Sequence, residues 1–167
     1  MNKRLKDVME YVIIILAVLL IRTFVATPIR VSGDSMYPTL KDGNIMILNK
    51  IGYSINGLKR FDIVVIKYQN EKIIKRVIGL PGDYVEYYDN ELYINGSKVE
   101  EEFERGYTND FDLSIFNETT IPKGKYLVLG DNRPISKDSR MIGLIPIENI
   151  EGHARYTIFP LNRFGSK

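Results

Sequence analysis

Lys72-Ile73-Ile74-Lys75-Arg76-Val77-Ile78-Gly79-Leu80-Pro81-Gly82-Asp83 reads as a strand running into a turn. A run rich in Ile and Val meets Pro-Gly-Asp, a combination that ends extended chain and reverses it. Side chains alternate between faces in a strand, so Lys75 shares its face with Ile73 and Val77. That parity is apolar. A lysine facing an apolar interior loses solvation of its charged form, and its pKa falls from the reference of about 10.4. A neutral amine of that kind can act as a general base near neutral pH. The ordinary alternative is an edge lysine whose stem lies along the sheet while its amine reaches water.

The same short, period-two segments recur outward from this stretch. Asn44–Leu48, Asp62–Lys67, Tyr84–Tyr88, Glu91–Ile94, Tyr126–Leu129 and Arg155–Phe159 read as further strands. Lys41-Asp42-Gly43, Asp89-Asn90, Asn95-Gly96 and Pro122-Lys123-Gly124 punctuate them, and Asp89-Asn90 predicts a hairpin. No long amphipathic helix interrupts the series. The body is therefore expected to be mainly β, a compact multi-sheet domain. Residues 100–120 break the rhythm with Glu100, Glu101, Glu102, Glu104, Asp110, Asp112 and Glu118, and read as a solvated insertion.

The N-terminus differs in kind. Tyr11 to Ile21 is unbroken apolar sequence, with a basic cluster of Lys3, Arg4 and Lys6 before it. The expected span, residues 8–26, would make a helix of about 28 Å at ~1.5 Å per residue, close to a bilayer core of roughly 30 Å. The basic cluster puts residues 1–7 in the cytoplasm and residues 27–167 outside it. A cleaved signal peptide shares the basic start, but Arg22 and the missing A-x-A favour an uncleaved anchor. Formal net charge is +2, and it belongs to this segment, since residues 27–167 balance their basic and acidic side chains. A neutral body argues against a nucleic-acid partner. With no cysteine and a single histidine, His153, thiolate nucleophiles, Cys-based zinc sites and multi-histidine metal sites are excluded.

Three stretches carry more polar chemistry than packing requires. Gly33 and Pro38 bracket Ser35 in Ser32-Gly33-Asp34-Ser35-Met36-Tyr37-Pro38-Thr39-Leu40, which suits a hydroxyl held in a partly exposed turn. Lys75 is the second feature. The third is Gly130-Asp131-Asn132-Arg133-Pro134-Ile135-Ser136-Lys137-Asp138-Ser139-Arg140, where Asp138 and Arg140 can pair and Ser136 can bond an amine. A Ser–His–Asp triad would need His153, which lacks any elbow-like partner. A hydroxyl with a desolvated amine needs only Ser35 and Lys75, and fits better.

Taken in order, these stretches together with Arg60-Phe61-Asp62-Ile63-Val64, following a single N-terminal apolar segment, resemble the bacterial type I signal peptidases. The resemblance extends to Gly165 and leans towards the short, single-anchor Gram-positive members. It implies a catalytic domain of signal-peptidase type on the outer face of the cell membrane. It implies a serine endopeptidase that removes signal peptides from exported preproteins after small residues at −1 and −3, with no metal or cofactor. By the same resemblance Ser35 is the nucleophile and Lys75 the general base. Ser136 orients the amine, Asp138 and Arg140 form a supporting ion pair, and Arg76 stands beside the base. The Ser35 backbone N–H supplies one oxyanion donor; Gly33 stands where some members carry a second, hydroxyl donor, and Ser32 is one position too early. The expected partners are preproteins and a lipid bilayer, with Met36-Tyr37 lying against the interface and the chain acting as a monomer. A different class of function, a non-catalytic membrane-anchored assembly or chaperone protein on the same fold, would be expected to have lost Ser35 or Lys75.

Overall fold

The computed structural model describes residues 3–20, 26–50 and 57–166. Its strands are β1 (Ala26–Arg30), β2 (Ile45–Asn49), β3 (Ile63–Tyr68), β4 (Glu71–Gly79), β5 (Val85–Tyr88), β6 (Glu91–Ile94), β7 (Ser97–Val99), β8 (Phe111–Asp112), β9 (Lys125–Leu129), β10 (Ile145–Pro146), β11 (Ile150–Phe159) and β12 (Gly165–Ser166). They form two antiparallel sheets. The larger follows the order β1-β2-β11-β3-β4-β9-β10 with β12 on β11, and the smaller follows β7-β6-β5-β8. The body is mainly β, and every strand expected from alternation is present, with β11 beginning at Ile150 instead of Arg155. The strands not expected are mostly short. β1 is the exception in length; it lies at a sheet edge, where Pro28 costs no ladder hydrogen bond, and its Ala26 had been assigned to the end of the membrane span.

Two of three apolar clusters explain why β3 lacks clean alternation. Ile63 and Val65 pack with Met36, Leu40 and Met46, while Val64 and Ile66 pack with Leu58, Val77 and Val128. Both faces of the strand are buried, so both parities are apolar. Ile78, Val85, Tyr87, Leu92 and Leu127 form the third cluster, which joins the two sheets. The β5–β6 hairpin turns at Asp89 and Asn90 with φ of 48° and 67°, the two left-handed residues of a type I′ turn.

The helix α1 (Lys3–Leu20) precedes the sheets, and its apolar side chains from Val8 to Leu20 are exposed. Among the described residues no helix is long and apolar enough to cross a membrane. The charged cluster occupies the first turns of α1, and residues 21–25 of the expected span 8–26 lie outside the described residues.

Residues 100–120 are not solvated throughout, contrary to the expectation. Glu102 and Glu104 are exposed, but Glu101 is clasped by Arg105 and Arg133 with its side chain only 2% exposed. Thr108 and Leu113 are fully buried. Two guanidiniums compensate the carboxylate's lost hydration, which composition alone does not reveal.

Candidate active site

The Ser35 turn is pinned from below. Met36 and Leu40 are buried among Val31, Met46 and Ile63, so the flanking chain has little freedom, and Met36 is not available to an interface. Tyr37, by contrast, is 47% exposed. Within the turn, Tyr37 N donates to Asp34 O (3.1 Å) and Leu40 N to Met36 O (2.8 Å). Gly33 adopts φ +78°, a left-handed conformation that favours glycine, and its N–H donates to Asp42 Oδ1 (2.9 Å).

Lys75 reaches this turn from β4. Its Nζ donates to Ser35 Oγ at 2.7 Å and to Ile74 O at 2.9 Å. The residue is 2% exposed. Burial lowers the amine's pKa to about 8, against the smaller opposing pull of the Asp138 and Asp131 carboxylates. The apolar parity of Lys75 thus leads to a desolvated amine, and the edge-lysine alternative does not apply.

A cleft of about 380 Å3 opens beside the pair, lined by Ser32, Ser35 and residues 71–75. β4 pairs with β3 along Glu71–Arg76, but with β9 only from Arg76 onwards. Among the described residues, no strand pairs the other edge of residues 71–75. Val77 exchanges backbone bonds with Asp62 and Phe61 on the β3 side. By alternation, the backbone groups of Ile74 and Lys72 face the cleft edge.

Arg76, next along β4, is sequestered with Asp131. Its Nε donates to Asp131 Oδ1 (2.9 Å) and its Nη2 to Oδ2 (2.6 Å), with side-chain exposures of 5% and 0%. Nη1 donates to Phe61 O (2.9 Å), and the guanidinium lies over the Phe103 ring at 3.9 Å. Asp138 and Arg140 pair in bidentate fashion at 2.9 and 2.8 Å. Asp138 also accepts from Gly130 N (3.0 Å) and caps the one-turn helix α2 (Ser139–Ile142). A Cβ at Gly130 would collide with Ser136 Oγ and the Ser35 carbonyl, so only glycine lets the loop approach the nucleophile turn. Ser136 departs from expectation: its Oγ is buried and makes no hydrogen bond, and the lysine amine bonds Ser35 and Ile74 instead.

The structure therefore brings Ser35, Lys75, Arg76, Ser136, Asp138 and Arg140 into one region. Sequence reasoning assigned no role to Asp131, Thr39, Asn132, Arg133 or Glu101. Asp131 lay inside a quoted motif, but its partner Arg76 sits on another strand, and spacing along the chain carries no sign of the pairing. Arg133, fully buried, bonds Glu101, Tyr87 and Thr108 on the smaller sheet's side.

The Ser35 hydroxyl thus lies in hydrogen-bond contact with a desolvated amine, beside an open strand edge. Residues 4–159 match the family model described as signal peptidase, peptidase S26, and the chain belongs to that family. It is 40% identical to signal peptidase IB of Staphylococcus aureus, with 95% of this chain and 93% of that protein covered. It is 42% identical to signal peptidase I of Bacillus caldolyticus, covering 86% and 85%. A crystal structure of a signal peptidase I from Enterococcus faecalis superposes with a TM-score of 0.54 at 40% identity, covering 57% of this chain and 95% of that one.

Proposed function

We propose that this signal peptidase cleaves exported preproteins by an acyl-enzyme route in which Ser35 attacks and Lys75 moves the protons. The observation that carries the reading is the 2.7 Å bond between Lys75 Nζ and Ser35 Oγ, made by a buried amine. With a pKa of about 8 the amine is neutral in a substantial fraction of molecules at mildly alkaline pH. It takes the Ser35 proton as Oγ bonds the scissile carbonyl carbon, and the carbonyl electron pair moves onto oxygen. The Ser35 N–H donates to that oxyanion. The lysine ammonium then gives its proton to the departing amine, leaving an ester on Ser35. Lys75 next deprotonates a water, which attacks the ester and frees the new carboxylate and the serine. The unpartnered Ser136 hydroxyl is suited to hold the amine while Ser35 Oγ is esterified. Arg76–Asp131 and Asp138–Arg140 hold the two sides of the site.

The open edge at Ile74 and Lys72 suits an extended peptide added as a strand, which presents its carbonyls in register beside Ser35. A peptide held so closely fits small side chains at −1 and −3. The exposed apolar side chains of α1 from Val8 to Leu20 support an anchor over residues 8–26 with residues 1–7 cytoplasmic and residues 27–167 outside.

The test is cleavage of a preprotein carrying Ala at −1 and −3, in detergent or liposomes, by wild type, Ser35→Ala and Lys75→Ala of equal fold. Cleavage by wild type alone is expected, with kcat/KM rising with pH about a midpoint near 8. Cleavage retained by either variant, or a rate flat across that range, would overturn the assignment.

A further inference from the structure

Gly33 offers no side-chain donor beside the nucleophile, so the Ser35 N–H carries more of the oxyanion's stabilisation, and how it is held matters. That N–H shares a peptide unit with the Asp34 carbonyl. In a trans peptide the two point in opposite directions, so whatever fixes one aims the other. Asp34 O accepts from Tyr37 N (3.1 Å) and from Asn132 Nδ2 (3.1 Å). The next carbonyl, Ser35 O, accepts from Asn132 N (3.0 Å). One residue therefore grips the carbonyls on both sides of the nucleophile.

Asn132 is itself locked in place. Its carbonyl accepts from Ile135 N (3.2 Å) and Ser136 N (3.1 Å), and its neighbours Asp131 and Arg133 are buried in ion pairs. We infer that Asn132 is a positioning residue, whose side-chain amide orients and polarises the Asp34–Ser35 peptide so that the Ser35 N–H meets the developing oxyanion. A hydrogen bond to the carbonyl oxygen draws electron density through the amide, so the same N–H becomes a stronger donor. The inference rests on the Ser35–Lys75 reading above.

The experiment compares wild type, Asn132→Asp, Asn132→Ala and Ser35→Ala as full chains in detergent, on the preprotein with Ala at −1 and −3. Asn132→Asp keeps the side chain's shape but sets an oxygen against Asp34 O, and both variants keep the main-chain donor to Ser35 O. We expect kcat to fall about 10- to 100-fold, less than the ~10²–10³ for deleting an oxyanion donor outright, with KM changed by less than about twofold. In Asn132→Ala the pH midpoint stays near 8, because no charge near Lys75 changes, whereas the new carboxylate of Asn132→Asp moves it upward, as Asp138 and Asp131 do. A peptide aldehyde reports on the same spot: Ser35 Oγ bonds its carbonyl carbon, the proton passes to Lys75, and the carbonyl oxygen becomes the oxyanion. Its affinity falls by the same factor as kcat/KM. An unchanged kcat, read above each variant's midpoint, overturns the inference, as does a loss in Asn132→Ala accompanied by a shifted pH midpoint, which marks a displaced loop. Cleavage surviving in Ser35→Ala overturns the underlying dyad instead. Should Asn132→Ala melt before assay, Asn132→Asp carries the test.

Discussion

Lys75 and Arg76 are consecutive on β4, both buried, and they end in opposite chemical situations. The lysine amine finds a hydroxyl and a carbonyl, with no carboxylate in contact. The guanidinium finds both oxygens of Asp131 and the Phe61 carbonyl. Burial penalises charge at both, but only at Arg76 does a bidentate partner offset the loss of water. So burial lowers the pKa of one side chain while the next is held in a bidentate ion pair, and strand alternation is what separates them by a face. Asp131 links the two, bonded to Arg76 and acting on Lys75 only through space.

Replacing the lysine should produce the largest effect, in two directions at once. Lys75→Met is expected to lower kcat/KM by at least about 10³-fold, within the range general-base catalysis supplies. The same change should stabilise the fold. The lysine's pKa is depressed on folding, from 10.5 to about 8, so the unfolded chain binds more protons between those values and stability rises with pH across them. Below about pH 8 the full penalty applies, on the order of 3 kcal/mol, and the methionine escapes it. Melting curves at pH 7 and pH 10.5 check this: the variant's advantage should be clear at the first and nearly gone at the second. An equal melting temperature at pH 7 would mean that the amine is not desolvated.

Asp131→Asn attacks the other side of the comparison. Breaking a buried pair leaves Arg76 charged without its partner, which costs roughly 3–5 kcal/mol in urea unfolding. Surviving enzyme should also show its activity midpoint moved below that of wild type, because Asp131 raises the Lys75 pKa and its charge is gone. A midpoint that moves upward would mean that water has entered the site instead. Arg76→Lys should recover only part of the stability, since an ammonium cannot make the two parallel bonds.

Much of this contrast was legible along the chain. The parity of Lys75 with Ile73 and Val77 foretold an inward amine, and the turn residues around Asp89-Asn90 foretold the hairpin, because both follow from periodicities local to the strand. Ser35 and the Asp138–Arg140 pair were legible as motifs. Arg76–Asp131 and Glu101–Arg133 were not, because each joins segments that only the sheet order brings together, and an acidic run reads as solvated until its cations are placed. Ser136 differs: the motif suggested a hydroxyl bonded to the amine, but its Oγ is buried without a hydrogen-bond partner while the amine bonds Ser35 and Ile74, an orientation set by packing that the motif does not carry.

The smallest effect belongs to an ion pair that geometry alone would rank beside Arg76–Asp131. Lys72 Nζ lies 2.6 Å from Glu151 Oε2, the same separation as between Arg76 Nη2 and Asp131 Oδ2. The difference is water: the Lys72 and Glu151 side chains are 58% and 24% exposed, against 5% and 0% for the buried pair. Solvent screens the attraction, and holding two long side chains together costs entropy, so Glu151→Gln should destabilise by less than about 1 kcal/mol and less still at high salt. Lys72 lines the cleft but keeps its backbone edge for the substrate, so kcat should stay within about twofold, the lost contact being one made equally in ground and transition states. Urea unfolding of Glu151→Gln beside Asp131→Asn, in one buffer at low and high salt, measures the contrast directly. A loss at Glu151 that matches the loss at Asp131 and ignores salt would mean that distance, and not burial, sets the strength of these pairs.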